Sequence, residues 1–397
     1  MIIHMKKLLL SACLLAGTMA WAAQPAQLVR AYNNPDGGYV ILDADNEIVA
    51  FSETGAASAD NQPLAALLGE NGMKLQVMQE RLPQNIATDA ELEIVVAPLL
   101  GDIAYNQGRP YNNMAPMGVD DKGKEKRCVT GCVATAMAQI MAYWKYPEKC
   151  NPTGEFSYTT STQGIKMKLN YDTIAFDWSQ ILPKYEGVET TAEQRHQIAL
   201  LMLACGVSVK MNYTPSSSGS VSMRVPDAFI EQFGYQKGLR FEGRDDTSKF
   251  PTEKAFLQAL MDEFDNKRPV YCSATYNGDD KGSFDGGHAF VIDGYAYATT
   301  NTKKDKPYFH FNWGWGGTDQ VGNPTLWYRL NGSTDKSPYS SAMQIVRYIM
   351  PATQTPVEET MTDNRNDGRI FDILGHEVKE TVPGQLYIRN GRKFIAR

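Results

Sequence analysis

Thr130-Gly131-Cys132-Val133-Ala134-Thr135-Ala136-Met137-Ala138-Gln139-Ile140-Met141 is the stretch on which the fold turns. Val133, Ala136, Met137, Ile140, Met141 and Trp144 recur at helical spacing and make a wide apolar face. The spacing predicts a helix from Cys132 that ends before Pro147. Gly131 allows a tight turn into it. Cys132 then stands in the first turn, where the partial positive charge of a helix N-terminus favours a thiolate. Beside an imidazolium partner such thiols reach pKa values about four units below a free thiol. On these local features alone, a buried structural cysteine opening a core helix is an equal alternative.

Working outward, 191–204 and 253–265 carry the same helical spacing. After Arg268 the chain turns strand-like, at 269–274, 288–295, 308–313, 325–330 and 344–350. The expected class is α+β: a helical lobe followed by a β lobe, with a cleft between them. Upstream, Gly37-Gly38-Tyr39-Val40-Ile41-Leu42 reads as a glycine turn into a strand, Asp45-Asn46 as a turn, and 47–51 as the returning strand. Leu64–Arg81 reads as a helix, and Pro83 and Pro98 bracket an exposed connector.

Charge separates these parts. Residues 24–97 hold eleven carboxylates against Arg30, Lys74 and Arg81, whereas 98–397 is neutral. An acidic front segment on a neutral body suggests two units with different tasks. The whole chain, 397 residues with net charge −6, is no nucleic-acid binder by charge. Six cysteines are too few for a disulfide scaffold. Lys6-Lys7, the apolar run Leu8–Trp21 and Ala20-Trp21-Ala22 lay out a secretory signal peptide over 1–23. The run is too short for a membrane span, and it continues past Cys13, which argues against lipidation there. Export through the periplasm to the cell surface or beyond is expected. The Pro/Thr/Glu-rich stretch 352–367 reads as a linker, and 368–397 as a short strand–turn–strand unit.

Without the signal peptide five cysteines remain, and an odd number in an exported chain points to a reactive thiol. Few histidines could partner it. His288 follows Gly286 and Gly287, which would let a substrate backbone approach the imidazole. His310 alternates within Tyr308-Phe309-His310-Phe311-Asn312 and reads as a structural strand residue, while His196 and His376 read as surface residues. In Asn312-Trp313-Gly314-Trp315-Gly316-Gly317, an Asn or Trp beside a catalytic histidine could fix its ring and shield that contact from water. A tight aromatic hairpin is the alternative. The Gln107 amide could donate to an oxyanion, although alone it would mean nothing.

Four motifs in this order resemble the streptopain family of secreted bacterial cysteine endopeptidases: Ala104-Tyr105-Asn106-Gln107, the Cys132 stretch, Gly286-Gly287-His288-Ala289-Phe290-Val291-Ile292-Asp293-Gly294, and the Trp–Gly block. The resemblance implies a papain-like two-lobe domain over 98–351. It implies Cys132 as nucleophile, His288 as general base and acid, Gln107 as oxyanion donor, and Trp313 beside Asn312 in the third residue's role. It also implies protein or peptide substrates, with 24–97 as an inhibitory propeptide. The tail 368–397 resembles the sorting module of Bacteroidetes type IX secretion.

Other readings are weaker. Cys128 could pair with Cys150 or act as a redox brake on Cys132, but an inert buried thiol is expected. Cys128, Cys132 and Cys150 lack metal-ligand spacing, so neither metal nor other cofactor is expected. The basic run 122–127 is expected to be a solvated loop. A cell-wall amidase or transglutaminase shares the Cys–His order but predicts neither Gln107 nor the Trp–Gly block. A catalytically dead binding protein is disfavoured by intact Cys132 and His288.

Overall fold

The computed structural model describes residues 27–35, 37–46, 48–52, 56–58, 73–79, 92–275, 287–298, 307–316, 326–330, 341–352, 370–371, 377–378, 386–389 and 392–395. The expected signal peptide, the linker from 353, Gly286 and His376 lie outside the described residues.

The front segment contributes β1 (Gln27–Asn33), β2 (Tyr39–Leu42), β3 (Ile48–Ser52), β4 (Met73–Val77) and β5 (Leu92–Val96). The body follows with β6 (Met117–Val119), β7 (Glu125–Arg127), α1 (Cys132–Trp144), β8 (Glu155–Thr159), β9 (Lys166–Asn170), α2 (Ala192–Ser208), α3 (Val225–Glu231), β10 (Arg240–Gly243) and α4 (Glu253–Asp265). It ends with β11 (Val270–Thr275), β12 (Gly287–Ala298), β13 (Tyr308–Asn312), β14 (Leu326–Arg329) and β15 (Ser341–Arg347). In the tail, β16 (Ile370–Phe371), β17 (Glu377–Val378), β18 (Leu386–Arg389) and β19 (Arg392–Ile395) form a separate sheet, ordered β17-β16-β18-β19. No helix among the described residues is long and apolar enough to cross a membrane.

The helices lie where the spacing places them. Thr191 caps α2 with a capping box to Gln194, and Thr252 caps α4. Two cores result. One packs α1, α2 and α3 together. The other lies on the opposite face of the main sheet, under Phe256, Leu260 and Phe264 of α4. Strand β12 divides them: Ala289 and Val291 face the helical core, Phe290 and Ile292 the other. Burial of both faces explains its continuous apolar sequence.

Front segment and body are not separate units. The main sheet runs β10-β15-β11-β12-β13-β14-β3-β2-β1-β4, with β5 on β12, so β3 extends the body's own sheet at β14. Phe51 stacks on Trp327 across that join, with centroids 5.9 Å apart and planes 8° apart. Two expectations need correction. Met73–Val77 is a strand, parallel to β1, and not part of a helix over 64–81. Met73, Leu75 and Val77 alternate with Lys74 and Gln76, and pairing with β1 decides for the two-residue period. Within the supposed connector, Leu92–Val96 pairs with Tyr295–Ala298. The basic run is also more ordered than a loop. It closes the β6–β7 hairpin, where Asp120 binds Lys126 at 2.8 Å.

Where the front segment passes into the body, buried Asp293 ties three elements together. Its Oδ2 accepts the Leu100 N–H at 2.8 Å, its carbonyl accepts the Leu99 N–H at 2.9 Å, and its Oδ1 lies 2.6 Å from His310 Nδ1. His310 is thus a structural residue. Removing one partner of a buried pair costs about 3–5 kcal/mol. His310→Ala should lower the urea midpoint by an amount equivalent to about 3 kcal/mol, while the alkylation rate of Cys132 changes little. An unchanged midpoint would show that the pair contributes no stability.

Candidate active site

Gly131 sets the geometry of the helix start. It has φ 87° and ψ 141°, a region that side-chain-bearing residues occupy only at a cost of about 1–3 kcal/mol. A Cβ there would lie 2.5 Å from Met211 Sδ and 2.9 Å from the Ser218 carbonyl. Only glycine fits, and the turn delivers Cys132 as the first residue of α1. The Gln107 carbonyl accepts the Thr130 N–H at 3.1 Å, which stitches the Gln107 segment to the chain two residues before the thiol.

The backbone N–H groups of Ala289, Val133 and Cys132 itself lie close enough to the Cys132 sulfur to favour its thiolate. The thiol therefore abuts β12 at the residue after His288. The His288 Nε2 lies 2.8 Å from the Trp313 carbonyl. A carbonyl can only accept, so Nε2 carries the proton and Nδ1 is the accepting nitrogen of the neutral ring. Trp315 lies over the imidazole with centroids 4.9 Å apart, and Trp313 stacks on it at 6.0 Å. Phe290 backs Trp313 at 4.5 Å.

Other expected site residues lie close by. The Asn312 Nδ2 donates to the Ile103 carbonyl at 2.7 Å and its Oδ1 accepts the Gly314 N–H at 3.1 Å. It thereby fastens the Trp–Gly loop to the segment carrying Gln107. The bond that orients His288 comes from the Trp313 backbone, which side-chain motifs do not reveal. Gly287 opens β12 and is exposed. Beyond these, sequence reasoning missed Gln139, whose Oε1 accepts the Tyr105 N–H at 3.0 Å and so docks the Gln107 segment on α1. Its place on an otherwise apolar helix face was the available signal.

Electrostatics in this arrangement differ from the expected low thiol pKa. Burial pushes the Cys132 thiol above its usual 9.0, against three backbone N–H groups that lower it. Cys132 is only half-buried as a residue, but its sulfur is enclosed by protein. Burial likewise lowers His288 from 6.5 to about 4, opposed by its bond to Trp313. Both shifts favour the uncharged pair. The remaining cysteines, Cys128, Cys150, Cys205 and Cys272, are buried free thiols, so Cys128 and Cys150 are not paired. Burial lifts Cys128 to about 11 and Cys150 to about 12.

A helix-borne thiol beside a buried imidazole and an aromatic wall is the equipment of a thiol peptidase, and the comparisons agree. The Peptidase C10 family model matches residues 105–321. Streptopain of Streptococcus pyogenes is 36% identical over 281 residues, covering 66% of this chain and 67% of its own. A thiol protease/hemagglutinin, PrtT, of Porphyromonas gingivalis is 30% identical over 348 residues, covering 80% of this chain and 36% of its own. Among solved structures, active interpain A, a cysteine protease of Prevotella intermedia, aligns with TM-score 0.51 and 25% identity, covering 64% of this chain and 96% of its own. A prointerpain A fragment aligns with TM-score 0.55 and 23% identity, covering 81% and 98%. The chain is a cysteine-type peptidase, a hydrolase. It belongs to the Peptidase C10 family.

The shifts have a measurable consequence. In the full-length chain, alkylation of the Cys132 peptide should be slow at pH 7 and still rising above about pH 10, where an ordinary thiol has levelled off. A plateau below pH 7 would show a thiolate already formed. The His288 shift adds an acid limit. The unfolded chain binds its proton at about 6.5 and the folded chain only near 4. The stability that His288 supports above pH 6.5 should therefore fall as the pH drops from 6.5 to about 4.

Proposed function

We propose that the chain is a secreted cysteine endopeptidase of papain-like architecture, made as a zymogen, that hydrolyses peptide bonds of proteins. Cys132 Sγ attacks the scissile carbonyl, and His288 Nδ1 takes the thiol proton. The Gln107 side-chain amide and the Cys132 N–H hold the oxyanion. The C–N bond then breaks as the imidazolium gives its proton to the leaving amine, and water releases the acyl group by the reverse path. The Trp313 carbonyl keeps Nε2 protonated, which leaves Nδ1 to do both transfers. The Trp313 and Trp315 rings keep water from the imidazole, Asn312 fixes the loop that bears them, and Gly286 and Gly287 admit the substrate backbone. The observation that carries this reading is a Cys132 that opens α1 close to the Ala289 N–H, with the adjacent His288 held by the Trp313 carbonyl.

Latency has its own support. Val29, Ala31, Tyr39 and Ile41 of the front segment share one core with Trp313, Tyr328 and Phe290. Burial raises the Tyr328 phenol pKa, the nearby Tyr39 adds to the rise, and Tyr328 packs edge-on against Trp313 at 5.6 Å. The acidic segment thus buttresses the wall behind His288. Residues 24–97 act as the inhibitory propeptide, and self-cleavage between Pro83 and Pro98, upstream of the segment bearing Gln107, frees the peptidase of 98–351. The prointerpain likeness supports a proform of this extent, as a likeness of fold. The signal peptide 1–23 would deliver the chain to the periplasm, and 368–397 would pass it to type IX machinery.

Cys132→Ala should abolish hydrolysis of casein and leave the precursor uncut, whereas the unchanged chain should shorten itself by about a propeptide's length when judged by mass. Proteolysis surviving in the folded variant would remove Cys132 as nucleophile. Gln107→Ala should lower kcat by about 10²–10³, the usual effect of losing one oxyanion donor, with KM little changed. A change confined to KM would make Gln107 a binding residue instead.

A further inference from the structure

Beside the aromatic loop lie two polar side chains, Asn106 and Glu186, that this chemistry does not use. Gly316 has φ +89° and donates its N–H to the Tyr105 carbonyl at 3.0 Å. A Cβ at Gly316 would sit 3.0 Å from Asn106 Nδ2 and 3.2 Å from Glu186 Oε1, so both atoms press close on the Gly316 backbone. Glu186 is held firmly: the Tyr111 hydroxyl donates to Oε2 at 2.8 Å, and the Tyr185 N–H donates to the same oxygen at 3.3 Å. Tyr111 is fully buried, and its phenol pKa is pushed up by burial and by the Glu186 charge. Glu186 Oε1 accepts no hydrogen bond from the described residues, and no described lysine or arginine pairs with it. Asn106 turns its Oδ1 to the N–H groups of Gln107 (2.5 Å) and Gly108 (3.3 Å), and its Nδ2 donates to no described group. An acceptor and a donor, neither of them partnered among the described residues, thus both stand against Gly316.

The position of this pair assigns it a task. Asn106 precedes Gln107 by a single residue. Gly316 follows Trp315 by a single residue, and the Trp315 ring lies over His288 at 4.9 Å. His288 is the group that hands its proton to the departing amine, so the 315–316 loop flanks the leaving-group side of the cleft. We infer that Glu186 and Asn106 form the specificity site for the residue immediately after the scissile bond, and that this site favours lysine or arginine there. The cation meets Glu186 Oε1, and Asn106 Nδ2 donates to a carbonyl of the departing peptide. This rests on the Cys132–His288 reading above. A carboxylate held in place by two donors gains more from a cationic partner than a freely moving surface side chain does.

The test uses the self-processed protein and two internally quenched peptides that differ only in Lys or Gln after the scissile bond. A third substrate, a peptidyl-coumarin amide, has no residue on the leaving side. The Lys peptide should be preferred about tenfold in kcat/KM at low salt. Glu186→Gln keeps an oxygen for Tyr111 and Tyr185, and it should bring the Lys:Gln ratio to about one. The same ratio in both proteins, or no Lys preference in the unchanged protein, would overturn the inference. Should the variant not fold, the ratio in the unchanged protein should fall towards one as salt rises from 10 mM to 1 M, since screening weakens a charge contact. A ratio indifferent to salt would then overturn it. Failure to hydrolyse even the coumarin amide would instead overturn the reading of the active site.

Discussion

Helix α1 must be buried nearly all the way round, and the rest of the site follows from that constraint. From Val133 to Ala142 every residue is buried. Ala134, Ala136, Ala138 and Ala142 keep the helix thin enough for the helical core to close on one side and β12 on the other. A helix so enclosed offers solvent almost nothing but its ends, and Cys132 stands at one of them. Two opposing effects therefore meet at one sulfur. The open N–H groups of the first turn favour a thiolate. The enclosure that makes the helix a core element disfavours any charge there. In the full chain, enclosure prevails for both Cys132 and His288.

That balance suits a chain whose front segment is still in place. β3 continues the body's sheet, and its neighbours share a core with the aromatic wall behind His288. On the proposed reading, latency needs no segment plugged across the thiol. Stiffening and drying the wall holds the imidazole in a setting where protonation is costly, and a proton cannot then pass readily from sulfur to ring. Loss of the β3–β14 join would expose Trp327 and loosen Tyr328 against Trp313, which would let water and charge return. Among the described residues, what meets the body is Phe51 and the apolar faces of β1 and β2.

The sequence made local features legible and concealed those formed at a distance. The helix at Cys132, the strand at His288 and the capped helices after Thr191 and Thr252 follow from spacing within one short window. The strand character of Met73–Val77 depended on β1, more than forty residues away, and a helical pattern drawn from Leu64 overrode a two-residue alternation that was present. The pairing of Leu92–Val96 with β12 was hidden for the same reason. In the site, Cys132 and His288 stood out because few residues could serve. The Trp313 carbonyl and the Ala289 N–H are backbone atoms with no signature of their own. Glu186 gains meaning only through Gly316, more than a hundred positions away.

Orientation of His288 by a carbonyl has a consequence for how the site can vary. Where a side-chain amide or carboxylate holds a catalytic histidine, one substitution removes the bond and leaves the ring in the wrong tautomer. A peptide carbonyl cannot be substituted away. Its position depends on the loop that carries it, and that loop is held by Asn312 on the Ile103 carbonyl and by the Gly316 N–H on the Tyr105 carbonyl. On the proposed reading the third catalytic role is therefore spread over the fastenings of a loop. Those fastenings run to the segment that bears Gln107, so on the proposed reading the donor for the oxyanion and the acceptor that orients the base move together. A displacement of one wall of the cleft would misplace both at once, and this ties the alignment of the site to the docking of residues 99–107 on α1 and on Asp293.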